Sequence, residues 1–271
     1  MQGASRGGLI ESRKALQGVL ESGADWSAVS EELFSVAGVI DGSATLRRAL
    51  ADPSRDAESK RGLVRRLLQG KVQPGTLDVL GAVASQRWSK ARDLSDTVEL
   101  LAVEAQVALS ENAGRADDVE EQLFRFERTV TGSPELREAL SDPQLPAERK
   151  GQVVDQLLAG KAHPETRRLA HQAVVAGRGR KVSTAIEEYL SVAAARREQL
   201  SAVVTVASPL SQEQHDRLAA ALGQTYGRPV LLKVVLDPQV VGGIRVQVGD
   251  EVVDGTVLRR LDEARRHLAG G

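Results

Sequence analysis

The stretch Val235-Leu236-Asp237-Pro238-Gln239-Val240-Val241-Gly242-Gly243-Ile244-Arg245-Val246-Gln247-Val248-Gly249-Asp250 decides how the C-terminal part of the chain folds. It runs directly into Glu251-Val252-Val253-Asp254-Gly255-Thr256-Val257. Ile244, Val246 and Val248 alternate with Arg245 and Gln247, so one strand face is apolar and the other polar. Gly242-Gly243 admits positive φ, which suits a sharp bend at the strand entrance. Gly249-Asp250 stands where the chain must turn back toward Val252-Val253. From Val257, the residues Leu261, Ala264 and Leu268 form a single apolar stripe, which predicts a closing helix. No phosphate-binding glycine string surrounds the Gly-Gly pair, so a structural hairpin is the reading.

Working back from the hairpin, Val230 to Leu236 reads as an apolar strand interrupted by Lys233, and Ala202 to Ala207 as another. Between them Ser211 and Gln214 form a capping box. The helix they open carries His215, Leu218, Leu222 and Tyr226 along one side and ends at Gly227-Arg228-Pro229. The order strand, helix, strand, strand, helix predicts a small sheet with helices on one face.

The rest of the chain is organised by a duplication at a spacing of ninety residues. Glu31-Glu32-Leu33-Phe34 matches Glu121-Gln122-Leu123-Phe124, and Gly42-Ser43 matches Gly132-Ser133. Leu46-Arg47, Ala49-Leu50 and Asp52-Pro53 recur as Leu136-Arg137, Ala139-Leu140 and Asp142-Pro143. Ala57-Glu58, Lys60, Leu67-Leu68, Gly70-Lys71 and Pro74 recur at the same spacing without a gap, so the repeat is real. Each copy has helical apolar spacing, with helices expected from Ser12 to Ser22, Ser27 to Ile40 and about Ala57 to Leu68. Gly70 is a natural C-terminal cap, and Pro74-Gly75 opens the next helix. Leu94 to Ser110 closes the first copy and opens the second, which predicts one long shared helix.

The expected fold is therefore mainly α: two tandem homologous helical bundles sharing a central helix, then a small α/β domain with a short sheet and hairpin. The expected divisions are a flexible N-terminus at 1–8, a first bundle at 9–96, a second at 97–200 and the α/β domain at 201–271.

Composition limits the chemistry. A net charge of −1 gives no global field to draw nucleic acid. With no cysteine there is no disulfide, thiolate or Cys-based metal site. No apolar run approaches the ~20 residues of a membrane span. His163, His171, His215 and His267 are scattered, without metal-ligand spacing, and are read as surface or packing residues. The adjacent carboxylates Asp117-Asp118 and Glu187-Glu188 point in different directions on a helix and are read as solvated faces. Gly177-Arg178-Gly179-Arg180-Lys181 is the one compact basic cluster; without interleaved aromatic residues it reads as a helix-to-helix turn sooner than as an RNA site. No cofactor is expected.

The hairpin motif, with Asp237, Gly242-Gly243, Gly249-Asp250 and Asp254-Gly255, resembles the closing hairpin of the delta subunit of F-type ATP synthases. That family is the bacterial counterpart of the oligomycin-sensitivity-conferring protein. Ala176-Gly177-Arg178 resembles a Gly-Arg pair that the family shows before its last bundle helix. The resemblance covers about Thr97 to Leu268 directly; the first copy departs from it as an added bundle.

The resemblance implies a non-catalytic peripheral-stalk stator at the cytoplasmic face of the bacterial plasma membrane, reaching the membrane only through its complex. Its implied partners are the N-terminal helix of an alpha subunit and the b-type stalk subunits, with no nucleic acid. The implied alpha-subunit groove lies between the first and fifth helices of a bundle, a helix-in-groove mode. In the second copy it would be formed by Ala105, Ala108 and Leu109 with Leu169, Ala173 and Val174. In the first copy it would be formed by Leu16, Val19 and Leu20 with Leu77, Leu80 and Val83. The alternative is a helical-repeat adaptor unrelated to ATP synthase.

Overall fold

The computed structural model describes residues 3–142, 144–176, 180–197, 200–227, 230–238, 240, 242–248 and 251–254. The chain divides into two compact units, 1–193 and 194–271.

The first unit is helical. Its first bundle runs α1 (Ala4–Glu21), α2 (Trp26–Gly42), α3 (Ala44–Ala51), α4 (Ala57–Leu68), α5 (Pro74–Ser85) and α6 (Ala91–Asn112). The chain continues with α7 (Ala116–Gly132), α8 (Pro134–Ser141), α9 (Ala147–Leu158), α10 (Pro164–Val175) and α11 (Val182–Arg197). Helices α7 to α10 each begin and end ninety residues after α2 to α5. Helix α6 stands where α1 falls when moved by ninety, so it is the sixth helix of one bundle and the first of the next.

The two copies share their local devices as well as their boundaries. Ser43 and Ser133 cap α3 and α8, each accepting from a leucine N–H at 3.2 Å. A side chain from the second helix of each bundle caps the fifth. Glu32 accepts from the Gln73 N–H at 3.0 Å, and Gln122 accepts from the His163 N–H at 2.9 Å. Gly70 (φ 75°) and Gly160 (φ 65°) take the left-handed conformation just beyond α4 and α9, where a side chain would be strained.

Helix α6 packs against α1, α2, α3 and α5 of one bundle and α7 and α10 of the other. Val98, Leu101, Ala102, Val103 and Ala105 are all fully buried, and one hydrophobic core runs through both bundles. A helix enclosed on nearly every side must be apolar or small almost all round, and its polar residues must be paired. Glu99 accepts from Arg180 at 2.8 Å, Tyr189 at 3.0 Å and Gln172 at 3.4 Å; Glu104 accepts from Arg13 at 2.6 Å.

Helix α1 starts at Ala4, so residues 4–8 are helical where a flexible lead-in was expected. Tertiary contacts hold this segment. The Ser5 hydroxyl donates to Asp93 at 2.6 Å and accepts from the Ser89 N–H at 2.8 Å, while Gly8 lies against Trp88. Gly7 and Gly8 conceal the helix from a reading by propensity.

The second unit comprises β1 (Leu200–Val206), α12 (Gln212–Tyr226), β2 (Val230–Leu236), β3 (Ile244–Val248) and β4 (Glu251–Asp254). The sheet order is β2-β1-β3-β4, with β1 and β2 parallel and the remaining pairs antiparallel. Helix α12 opens with the expected Ser211–Gln214 capping box and is the crossover joining the parallel strands. Ala202, Val204, Val206, Leu232, Val246 and Val248 form the sheet's buried face, with Leu218 and Leu222 of α12 packed against it. Gly242 (φ 66°) and Gly243 (φ 82°) take the positive φ that the bend before β3 requires. The expected closing helix from Val257, the Gly249-Asp250 turn, Arg228-Pro229 and Gly255 lie outside the described residues.

Candidate interaction grooves

In the second bundle, the expected groove residues lie where α6 meets α10. Ala105, Ala108, Leu169, Ala173 and Val174 are buried there, and Leu109 is half-buried. Leu109 borders a cleft of about 860 Å³ walled by α2, α9 and α10, with α6 at its floor. The first bundle supplies one wall of this cleft, through Glu31, Phe34 and Gly38. Arg168 of α10 crosses it: its Nε donates to Glu31 at 2.6 and 2.8 Å, and its guanidinium stacks on the Phe34 ring at 4.1 Å. The charge-assisted bond and the cation–π contact converge on one arginine, tying the two copies together.

In the first bundle α1 packs on α5, which brings the other expected set together. Leu16, Leu20, Leu80 and Val83 are buried, while Val19 and Leu77 are half-buried. The helices approach closely at Gly75, where a Cβ would lie 2.6 Å from Val19 Cγ1. Leu80 and Val83 also line a second cavity of about 290 Å³, bounded by α2, α3, α4 and α6 and almost wholly apolar. The outward side of α1 leaves Ile10 half exposed; its repeat counterpart on α6, Leu100, is more covered.

In the second unit Asp237 donates its N–H to the Val206 carbonyl at 2.9 Å, anchoring the chain before the Gly-Gly bend. Asp254 stands opposite Arg245 in the β3–β4 register. Val252 and Val253 on the edge strand β4 are exposed. A sheet edge with accessible apolar residues is suited to contact with another chain.

Among the described residues no group of three or more His, Asp or Glu is placed to hold a metal ion. His163 lies 3.3 Å from Asp118, and His171 packs over Gly151; His267 lies outside the described residues. In the basic cluster, Gly177-Arg178-Gly179 also lies outside them, and Arg180 is engaged by Glu99 and by Glu188 at 2.5 Å. Burial works against the Arg180 charge, yet the two carboxylates hold its pKa above the ordinary arginine value. The arginine preceding α11 thus serves as a tie to α6. A sequence reading weighs Arg180 as one member of a basic run, because its partner Glu99 lies far back in the chain. The same holds for Glu165, which is buried and paired with Arg115.

The architecture defines a tandem helical-bundle module with a small α/β appendage, whose accessible features are interhelical grooves and a sheet edge. The profile of the ATP synthase delta (OSCP) subunit matches residues 102–268, beginning inside α6. A Kineococcus radiotolerans protein named ATP synthase subunit delta is 46% identical over 269 residues, covering 99% of this chain and 98% of its own. Proteins of the same name from Streptomyces griseus and Thermobifida fusca are each 44% identical, aligned over the whole of both chains. The chain belongs to the ATP synthase delta (OSCP) subunit family. An adaptor unrelated to ATP synthase is not compatible with that kinship.

Proposed function

We propose that this chain is the peripheral-stalk stator of a proton-translocating F-type ATP synthase. It joins the catalytic alpha/beta hexamer to the membrane-rooted b-type stalk and resists rotor torque during ATP synthesis. The full-length kinship with proteins named ATP synthase subunit delta carries this reading. The role is mechanical and non-catalytic, and attachment at both ends strengthens it because each contact raises the effective concentration of the other. No helix among the described residues is long and apolar enough to cross a membrane. We place the chain at the cytoplasmic face of the plasma membrane, held there by its complex.

For the alpha-subunit N-terminal helix we favour the groove of α1 and α5 in the first bundle. Its counterpart between α6 and α10 already has α2 as a wall and Arg168 as a bridge. We assign the b-type helices to the exposed edge around Val252 and Val253. The second bundle, 97–200, then corresponds to the family's single bundle, and 9–96 is the added copy.

The test is affinity purification of the tagged chain from native membranes. Alpha- and b-type subunits should co-purify, and depletion of the chain should leave ATP hydrolysis uncoupled from proton pumping. Recovery without either subunit would defeat the proposal. The groove assignment has its own test, because Trp26 and Trp88 both lie in the first bundle. Titration with an alpha-subunit N-terminal peptide should change tryptophan fluorescence together with calorimetric heat. Heat with unchanged fluorescence would move the site to the second bundle.

A further inference from the structure

The two copies carry the same acid–aromatic pair three residues apart on their second helix, Glu31 with Phe34 on α2 and Glu121 with Phe124 on α7. Their surroundings differ. Phe34 is 3% exposed beneath Arg168, whereas Phe124 is 54% exposed on the outward side of α7. Val119, Leu123, Phe126 and Val130 already satisfy the inward side of α7, so Phe124 is not needed by its own core. An arginine from the next repeat covers the first pair. After α11 the chain passes to β1, and the ninety-residue repeat does not recur in the sequence to supply a matching arginine for the second.

We propose that Glu121 and Phe124 form a docking site for an arginine-bearing helix of another subunit of the complex, repeating the contact that Arg168 makes between the bundles. The inference rests on the stator reading for the identity of the complex, while the geometry comes from the repeat itself.

Charge specifies the occupant. A second copy of this chain, stacked head to tail, would bring its fifth helix α5 to α7. The residue of α5 equivalent to Arg168 is the exposed Asp78, so a second copy would bring no arginine to Glu121 and Phe124, and the repeated contact could not form. The partner is therefore a different chain. In α2 the positions following Phe34 toward the next turn are the small Ser35 and Gly38; in α7 they are Arg125 and Arg128. The docked helix thus presents an arginine to Glu121, an apolar side chain to Phe124 and a carboxylate to the two arginines. In the free chain Arg125 pairs with Glu121 along the helix, a contact between two well-exposed side chains that the incoming arginine displaces.

The test installs Phe124→p-benzoylphenylalanine in the full-length chain and irradiates the purified, assembled complex. Mass spectrometry should find the adduct on an arginine-containing helical peptide of another subunit. Phe124→Ala should weaken rebinding of the chain to complex depleted of it by about 3- to 30-fold, the range expected for a cation–π contact as it loses water, and Glu121→Gln by up to about 5-fold, as for an exposed ion pair. Both sites are exposed, so helical circular dichroism should be unchanged. An assembled complex that yields no adduct, an adduct on a second copy of this chain, or variants that rebind normally would overturn the docking site and leave the stator reading standing. A chain that purifies without ATP synthase subunits would remove both.

Discussion

Replacing Glu99 with leucine should loosen the second bundle ahead of the first. Glu99 is 3% exposed and accepts from Arg180, Tyr189 and Gln172, so one carboxylate joins α6, α10 and α11. In Glu99→Leu the buried Tyr189 hydroxyl loses this acceptor, at a cost of about 1–3 kcal/mol. Breaking a buried ion pair from one side costs about 3–5 kcal/mol. Arg180 keeps Glu188 and about a quarter of its side-chain exposure, which lowers that figure. The expected total is about 2–4 kcal/mol for Glu99→Leu, and about 1–2 kcal/mol for Glu99→Gln, which keeps an acceptor in place. Urea unfolding should be followed at once by helical circular dichroism and by tryptophan fluorescence. Trp26 and Trp88 report only the first bundle. With a slope of about 2–3 kcal/mol per molar urea, the dichroism midpoint should fall by roughly 1 M and the fluorescence midpoint by less. Adding Arg180→Met to Glu99→Leu should cost less than the sum of the single changes, with a coupling of about 1–3 kcal/mol. A loss below about 1 kcal/mol, or strict additivity, would refute the claim that this carboxylate fastens the bundle.

Arg168→Ala should cost about 1–2 kcal/mol, and its cycle with Phe34→Leu should show coupling of about 0.5–1 kcal/mol in denaturation midpoints. Lys60 is 2% exposed, and burial holds its pKa below the ordinary 10.5, partly offset by Asp52. Through the window from its lowered folded value up to 10.5 the unfolded chain binds more protons, so this group makes stability rise with pH. Lys60→Met should flatten that rise in denaturation measured from neutral to alkaline pH. Asp56 caps α4, and hydrogen bonds from the Ser59 N–H and hydroxyl hold its pKa below 3.8. Its contribution is complete above 3.8 and disappears as pH falls through the lowered folded value. Amide exchange at Ser59 should accelerate there, and Asp56→Asn should remove the dependence.

The sequence by itself determined the repeat, the helix boundaries that follow from it and the hairpin. These depend on short-range rules: apolar spacing on one helix, a serine or aspartate at a helix start, a glycine where φ must be positive, alternation along a strand. Such signals survive in a linear reading because the interacting atoms are a few residues apart. The candidate groove residues were legible as apolar stripes, but a stripe does not say whether its neighbour is a partner subunit or the chain's own core. Tertiary structure decided that Leu80 and Val83 line an apolar cavity shared with α2, α3, α4 and α6, and that α2 walls the second groove. It placed Gly7 and Gly8 inside α1 and gave Glu99 and Arg180, 81 residues apart, to each other. It also separated two phenylalanines at equivalent positions of the repeat: Phe34 buried beneath Arg168, Phe124 open to solvent. Burial belongs to the surroundings that folding assembles, and the array ends after its second copy.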